Sequence, residues 1–519
     1  MDKRIYLCLA HMSGKEMGFI QEAFDTNWVV PLGPNVNAFE QDLERFVGQG
    51  KKVVALSAGT AAVHLALLAC GVGKGDEVIV QSFTFCASSH PVTYLGATPV
   101  FVDSEADTWN MDPVLLEQAI RERIDKTGRK PKAIVPVALY GMPYKTDQIM
   151  SVADRYDIPV IEDAAEGFGS KFDGQVLGTF GRYGVLSFNG NKMITTSGGG
   201  ALICPDEESK REIMFYATQA RESYPYYQHE RIGYNYRMSN ICAGIGRGQM
   251  TVVDEHIAHH KHLCGLYREL LADVEGITLH ENPSGCYDSN YWLNTVLLDE
   301  NLHVKGEEDA YRETVKGAVG GAAGVTHESV SAHTSCEPNR NVEAMRICLD
   351  RAGIESRPLW KPMHLQPVYA ANPAYVNGVS EGLFRRGLCL PSGPYVTDED
   401  VRYIVNEMKE SIKRKAIYTI GNKAQITNAT TYLISQQSLG MQIIYSLYFK
   451  TFAGIPAIIA FWGTSLITTA PAPIRQFSPN SCTPVIIVAL MPIYAYLFAI
   501  IDAPKFTPVE RKVPSCNIE

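Results

Sequence analysis

Lys192 lies in a setting that is unusual for a charged residue. It occupies a polar, glycine-rich turn, residues 187–200 (SFNGNKMITTSGGG), between apolar runs at 183–188 and 201–204. A lysine is costly to place there unless it pairs with an anion or forms a covalent bond. Loss of solvent favours the neutral amine, which can form a Schiff base with a carbonyl compound. Taken alone, the segment is equally consistent with a surface lysine on a hairpin.

A second segment has the composition of an anion-binding turn. Residues 57–60 (SAGT) stand directly before an apolar helical run at 61–67. Small residues such as Gly59 and Thr60 leave the first backbone N–H groups of a helix free, and these groups bind phosphate together with the helix dipole. For this motif alone an ordinary helix cap is the favoured interpretation.

Phe85 ends a short segment, residues 81–85 (QSFTF), after a predicted strand at 77–80. An aromatic ring at the end of a parallel strand would lie over a flat cofactor. Packing in the core is the alternative, because most aromatic side chains serve that purpose.

Asp163 follows an apolar strand predicted at 159–161 and precedes Lys192 by 29 residues. An acidic residue at the end of a buried parallel strand needs a partner. A protonated ring nitrogen would be such a partner, and a helix N-cap is the alternative. The position after an apolar strand favours the functional role.

The elements that must position these residues alternate between strands and helices. Strands are predicted at 52–56, 77–80, 98–102, 133–137 and 159–161, and helices at 60–70, 113–120 and 146–156. This alternation predicts an α/β fold with a mainly parallel central sheet covered on both faces. Ligands of such sheets bind at the carboxyl ends of the strands. A phosphate cradle, a ring, a carboxylate and a lysine at that edge match the needs of pyridoxal 5′-phosphate (PLP).

Composition limits the other classes of function. The chain has 519 residues and a net charge of -9, which argues against general nucleic-acid binding. Its twelve cysteines form no CxxC pair and no cluster at metal spacing, so we expect reduced thiols, no metal site and a cytoplasmic location. The charged N-terminus does not resemble a secretory signal.

Five motifs carry a resemblance to a known family. They are residues 33–40 (GPNVNAFE), 57–62 (SAGTAA), 162–166 (EDAAE), 187–192 (SFNGNK) and 233–239 (GYNYRMS). On these motifs, residues 5–415 resemble the DegT-type sugar aminotransferases, which are fold-type I PLP-dependent transferases of the aspartate aminotransferase kind. Residues 187–200 and 357–367 (RPLWKPMHLQP) are most similar to the branch that aminates the C4 ketone of a UDP-linked 4-keto-6-deoxy-N-acetylhexosamine, as in bacillosamine synthesis.

The resemblance implies a role for each matching residue. Lys192 would form the Schiff base with PLP and carry the proton, while Asp163 would pair with the pyridinium nitrogen and Phe85 would stack on the ring. The phosphate contacts would be Gly59, Thr60 and Ser187, with Asn235 reaching the cofactor of the neighbouring subunit in a homodimer. Glu166 would lie near the cofactor or the sugar. The nucleotide-sugar pocket would include Trp360, Lys361 and His364.

The resemblance also implies a reaction and a domain organisation. An amino-acid donor, L-glutamate in most of the family, would give its amino group to PLP and then to the ketosugar. We expect an N-terminal segment and large PLP-binding domain at 1–250, and a smaller α+β domain at 251–415 with an inserted mobile loop at 301–340. Two alternatives remain, a PLP-dependent aminotransferase or dehydratase acting on another nucleotide-linked ketosugar, and a catalytically idle membrane-attached homologue. Because some relatives that dehydrate carry histidine in place of the lysine, Lys192 favours amination.

Residues 416–519 fall outside the resemblance. From 424 to 501 the only charged residues are Lys450 and Arg475. Two stretches, 451–474 and 484–501, approach the length of a membrane span, and 429–449 is a weaker candidate. A membrane hairpin that attaches the enzyme through 451–501 and a non-functional extension are equally favoured.

Overall fold

The computed structural model describes residues 4–311 and 337–413, together with the backbone of three strands further along the chain. Its contacts divide the chain into two units, residues 1–412 and 413–519. The predicted division of the first unit at residue 250 stays a prediction. Most of the predicted inserted loop, at 312–336, lies outside the described residues.

The first unit is built from strands and helices that alternate along most of its length. Its described strands are β1 (Lys52–Leu56), β2 (Glu77–Gln81), β3 (Thr98–Val102), β4 (Ala133–Val135), β5 (Ile161–Asp163), β6 (Lys171–Phe172), β7 (Gln175–Val176), β8 (Tyr183–Ser187), β9 (Gly200–Cys204), β10 (Ile277–Leu279), β11 (Tyr287–Asp288), β12 (Asn294–Leu298), β13 (Arg357–Pro358), β14 (Ala374–Tyr375) and β15 (Gly387–Leu390). Its described α-helices are Glu16–Asp25, Pro34–Val47, Gly59–Ala69, His90–Tyr94, Pro113–Thr127, Thr146–Tyr156, Glu207–Ala217, Asn240–Met250, Val253–Leu271, Arg340–Arg351, Val379–Arg386 and Asp398–Ser411.

The central sheet has the order β1-β9-β8-β5-β4-β2-β3-β14. It consists of two four-stranded ladders, which parallel bridges join at Ile134–Val160 and Val137–Asp163. Every neighbouring pair is parallel except the two pairs that β9 makes with β1 and β8. The predicted α/β class with a mainly parallel sheet is therefore confirmed.

Both faces of this sheet are buried, which explains why its strands read as nearly continuous apolar runs. Val53 and Ala55 of β1 belong to the core on one face, whereas Val54 and Leu56 belong to the core on the other. The same alternation is seen in β2, β3 and β4. The helix Gly59–Ala69 is apolar on nearly all sides, and residues 61–67 are buried, most of them within the second of these cores.

A smaller antiparallel sheet, β10-β12-β15-β13, forms the second layer of the unit. It packs with three helices, Val253–Leu271, Arg340–Arg351 and Asp398–Ser411, around a separate apolar core. The last helix begins with a capping box, in which Thr397 and Asp400 satisfy each other's backbone N–H groups.

The described part of the second unit is a three-stranded antiparallel sheet, Ser446–Lys450, Pro456–Trp462 and Ser465–Thr469. The rest of the predicted membrane segments, including all of 484–501, lies outside the described residues. Across the parts of the chain that the structure describes, no helix has both the length and the apolar character needed to cross a bilayer.

Candidate active site

The carboxyl ends of β1, β5 and β8 meet at one edge of the central sheet, and the candidate residues follow them. The helix Gly59–Ala69 begins after β1, and no side chain caps its first N–H groups. A Cβ added to Gly59 would lie 3.1 Å from the Cβ of Ser187, the last residue of β8. Gly59 at the helix start and Ser187 at the end of β8 are therefore close neighbours, and an uncapped helix start suits an anion.

Lys192 lies in the loop that returns from β8 to β9. Its Nζ is 3.2 Å from Oε1 of Glu166 and 4.0 Å from the centre of the Trp292 ring. Both the lysine and the glutamate are largely buried. A buried charge needs such a partner, and the pair accounts for the cost of placing a lysine here.

The Lys192 loop is held by hydrogen bonds at several points. The N–H of Lys192 donates to the carbonyl of Asn189 (3.0 Å), and the N–H of Thr196 donates to the carbonyl of Phe188 (2.9 Å). From outside the loop, Nε1–H of Trp292 donates to the carbonyl of Asn191 (2.7 Å). The lysine therefore projects from a backbone that is fixed on both sides.

Asp163 ends β5, and its carboxylate is buried. Oδ2 accepts a hydrogen bond from Oγ of Ser88 (2.6 Å), and Oδ1 accepts one from the N–H of Ala165 (3.1 Å). Ser88 in turn exchanges a hydrogen bond with the hydroxyl of Thr84 (2.8 Å). Burial raises the pKa of Asp163, and the Ser88 hydrogen bond and the charge of Lys192 act in the opposite direction.

Glu166 shares this buried region. Its Oε2 accepts from the N–H of Tyr140 (2.7 Å), while Oε1 faces Lys192. Burial raises the pKa of Glu166, the positive charge of Lys192 lowers it, and the nearby Asp163 raises it further. The charge of Lys192 thus acts on two buried carboxyl groups, Glu166 in direct contact and Asp163 nearby, an arrangement typical of sites that move protons.

A cavity of about 430 Å³ opens beside this cluster. It is lined in part by Thr84, Phe85, Trp360 and Lys361. The Phe85 ring is exposed and lies 5.2 Å from that of Trp360. Most of the lining is apolar side chain, which suits a ring system.

Two of the predicted residues lie elsewhere in the region. Nδ1 of His364 is hydrogen-bonded to Oγ of Ser82 (2.6 Å), so this ring is held against the end of β2. Asn235 is exposed, and it forms an antiparallel bridge with Thr218. Neither residue contacts Lys192 or Asp163 through an observed hydrogen bond.

Sequence reasoning missed four residues that contact this cluster: Ser88, Tyr140, Asn290 and Trp292. Ser88 lies in a short 3-10 turn, Cys86–Ser88, where no periodic pattern indicates which way a side chain points. Trp292 stands 100 residues after Lys192 and only the folded chain brings them together. The positive φ of Tyr140 (54°) had no sequence signal, because glycine usually marks that conformation.

The residues present fit PLP. A helix start with free N–H groups suits the phosphate, a buried carboxylate suits a protonated ring nitrogen, and a lysine amine suits the aldehyde. All three lie at the carboxyl edge of the sheet, where Gly59 leaves the space that a Cβ would fill.

Comparison with known proteins gives the same result. Residues 11–322 and 318–409 match the DegT/DnrJ/EryC1/StrS aminotransferase family. The chain belongs to this family. Fold type I, the need for PLP and activity as a sugar aminotransferase follow from that membership, and these predictions are confirmed.

Two relatives match along nearly their whole length. A Bacillus subtilis (strain 168) protein named as a pyridoxal phosphate-dependent aminotransferase, EpsN, is 44% identical over 405 residues, which is 77% of this chain and 94% of EpsN. The GDP-perosamine synthase of Escherichia coli O157:H7 is 33% identical over 401 residues, covering 77% of this chain and 96% of the synthase.

Solved structures agree with the fold. A DegT DnrJ EryC1 StrS aminotransferase from Brucella abortus superposes with a TM-score of 0.65 at 28% identity, over 76% of this chain and 95% of that one. The sugar aminotransferase Spr1654 from Streptococcus pneumoniae, in its PLP form, gives a TM-score of 0.66 at 25% identity, over 79% and 98% of the two chains.

Proposed function

We propose that this enzyme transfers the amino group of L-glutamate to the C4 ketone of a UDP-linked 4-keto-6-deoxy-N-acetylhexosamine. The observation that carries the chemistry is the buried ion pair of Lys192 with Glu166, formed close enough to Asp163 for the lysine charge to lower the pKa of that carboxyl. The choice of sugar is supported by the sequences of residues 187–200 and 357–367, which are most similar to the branch that acts on it.

A relative supports the position and the donor. The UDP-4-amino-4-deoxy-L-arabinose–oxoglutarate aminotransferase of Shewanella sediminis is 34% identical over 304 residues. Its name contains a UDP-linked 4-amino sugar and oxoglutarate, the 2-oxo acid of glutamate. The GDP-perosamine synthases, by contrast, are named for a GDP-sugar, so the nucleotide is the part of the proposal that most needs a direct test.

Each residue has a defined task in the proposed reaction. PLP, when bound, supplies an aldehyde and an electron-withdrawing ring. Lys192 would bind the aldehyde and, once displaced by the donor, its Nζ would take up the Cα proton of glutamate. Asp163 would keep the ring nitrogen protonated. Glu166, 3.2 Å from Nζ, would hold the amine in place between these steps.

The remaining assignments complete the proposal. Gly59, Thr60 and Ser187 would hold the phosphate, and Phe85 would cover the ring. Trp360 and Lys361, on the wall of the neighbouring cavity, would contact the nucleotide-sugar, with His364 supporting that wall from behind through Ser82. Exposed Asn235 would reach the cofactor of a second subunit, which makes the proposed enzyme a homodimer. Its location would be the cytoplasm.

Incubation with defined sugars tests the proposal. The full chain, PLP and L-glutamate are mixed with UDP-4-keto-6-deoxy-N-acetylglucosamine, and products are identified by mass spectrometry and NMR. We expect a 4-amino sugar and one equivalent of 2-oxoglutarate, both absent with Lys192→Ala. A product that has lost water without gaining nitrogen would support the dehydratase alternative, and amination of only a GDP-linked ketosugar would overturn the nucleotide assignment. If the chain did not bind PLP, the result would support the remaining alternative, a catalytically idle homologue.

A further inference from the structure

Trp292 touches the Lys192 loop in two independent ways. The face of its indole lies 4.0 Å from the Nζ of Lys192, which is the geometry of a cation–π contact. Its Nε1–H donates to the carbonyl of Asn191, the residue just before the lysine. One buried side chain thus contacts both the reactive amine and the backbone that carries it.

Asn290 ties the same tryptophan to the Glu166 segment. Nδ2 of this buried asparagine donates to the carbonyls of Glu166 (2.8 Å) and Phe168 (3.0 Å), and its Oδ1 accepts from the N–H of Trp292 (2.8 Å). The amide is therefore satisfied at both ends and has no freedom to turn. Residues 290–292 thus connect the segment that carries Glu166 to the loop that carries Lys192.

We propose that Trp292 is a positioning residue for Lys192. Its indole face binds the lysine amine whenever that amine is not bonded to the cofactor. The inference rests on the proposed function, in which a donor displaces Lys192 and the lysine must then return. Once Nζ has taken up the Cα proton of the donor, the resulting ammonium group has two partners within contact distance, the Glu166 carboxylate and the indole face. Both contacts restrict the Lys192 side chain to rotamers near the cofactor site, whereas an unrestrained lysine would also populate other rotamers.

This role predicts a graded response to substitution. Trp292→Leu removes the aromatic face and the N–H donor, and we expect kcat to fall about tenfold while KM for glutamate changes less than about twofold. Trp292→Phe keeps a ring but loses the hydrogen bond to Asn191, so kcat should fall by about threefold. A residue that only filled space would give no such split between kcat and KM.

A second readout does not depend on turnover. In the PLP-free full chain, acetylation of Lys192 by an amine-reactive ester is followed by peptide mass spectrometry against other lysines as internal standards. We expect Lys192 to react at least about threefold faster in Trp292→Leu than in the unaltered chain, because the indole face no longer contacts the amine and shields it from the reagent. Trp109→Leu is the matched control, since Trp109 is similarly buried but stacks on His280 at 3.7 Å.

The two hypotheses fail in different ways. If borohydride traps no cofactor on Lys192 of the unaltered chain, the proposed function is wrong. If the cofactor is trapped normally, but both Trp292 variants keep the original kcat and the original Lys192 labelling rate, the positioning role is wrong. Should Trp292→Leu fail to fold in a thermal melt, Trp292→Phe decides the question alone, with an unchanged kcat and labelling rate overturning the inference.

Discussion

Replacing Ser88 with alanine isolates one hydrogen bond to the carboxylate that is proposed to face the cofactor nitrogen. Ser88 is buried, and its hydroxyl lies 2.6 Å from Oδ2 of Asp163. The substitution removes one oxygen and leaves the backbone N–H of Ala165 as the other donor to this carboxylate. The change therefore tests how far catalysis depends on keeping Asp163 ionised.

The size of the effect follows from the bond that is lost. A hydrogen bond to an ionised group contributes about 1.5–3 kcal/mol, and each 1.4 kcal/mol corresponds to about tenfold in an equilibrium or a rate. Burial already raises the pKa of Asp163, and Ser88 is the largest of the influences that lower it. Without that influence the carboxyl competes more strongly for the proton on the ring nitrogen. We expect kcat to fall at least about tenfold, and the acid limb of the pH–rate profile to move to higher pH.

Steady-state amination assays over a range of pH measure both quantities. Ser89→Ala is the control, because Ser89 is equally buried but its hydroxyl donates to the carbonyl of Cys86. Asp163→Asn should be more damaging than Ser88→Ala, since it removes the charge itself. If Asp163→Asn is impaired while Ser88→Ala keeps both its kcat and its acid limb, the assigned role of the hydroxyl is incorrect.

Three further predictions address the phosphate site, the packing and the pH dependence of stability. Gly59→Ala would place a Cβ 3.1 Å from Ser187, so PLP affinity in equilibrium dialysis should weaken about tenfold with little change in melting temperature; unchanged affinity would exclude a phosphate contact there. Gly141→Ala would place a Cβ 1.9 Å from Oδ1 of Asn290 at a φ of 96°, and urea unfolding should show a loss of at least about 3 kcal/mol, whereas a loss below about 1 kcal/mol would contradict the packing. Burial lowers the pKa of His260 from 6.5 to about 3, so below 6.5 the unfolded chain binds a proton that the folded chain does not. The free energy of unfolding therefore falls by about 2 kcal/mol on account of His260 between about pH 7 and about pH 5, and this loss is absent above that range. His260→Gln should flatten this part of the plot of unfolding free energy against pH, and an unaltered slope would refute the lowered pKa of His260.

Much of the fold was predictable because its strands are buried on both faces. The predicted bounds of β1 and β3 agree with the structure, at 52–56 and 98–102. A continuous apolar run bounded by polar residues is a strong signal, and the intervening helices have clear periodicity. The short strand β5 was placed two residues too early, at 159–161 instead of Ile161–Asp163, because the apolar run begins at Pro159 whereas the ladder continues through two acidic residues, Glu162 and Asp163.

The candidate site was predictable only where the chain itself brings residues to the strand ends. Gly59 and Lys192 follow strands of the central sheet and Asp163 ends one, so topology alone places them at one edge. Trp292 reaches that edge from the second layer, through a segment whose only sequence feature is an aromatic residue before a strand. No local pattern specifies such a contact, because it depends on how segments 100 residues apart in the chain pack together.

Tyr140 shows how the two halves of the proposed reaction would share one site. Its N–H donates to Glu166, the partner of Lys192, and its hydroxyl accepts the N–H of Trp360 on the cavity wall. A φ of 54° is costly for a tyrosine, and the buried contacts at both ends of the residue are what maintain it. In the proposed reaction the donor and the ketosugar would use the same lysine in turn, so the lysine and the cavity wall would have to keep one arrangement through both steps. Tyr140 links the carboxylate partner of that lysine to the cavity wall, and its two buried hydrogen bonds would keep this arrangement.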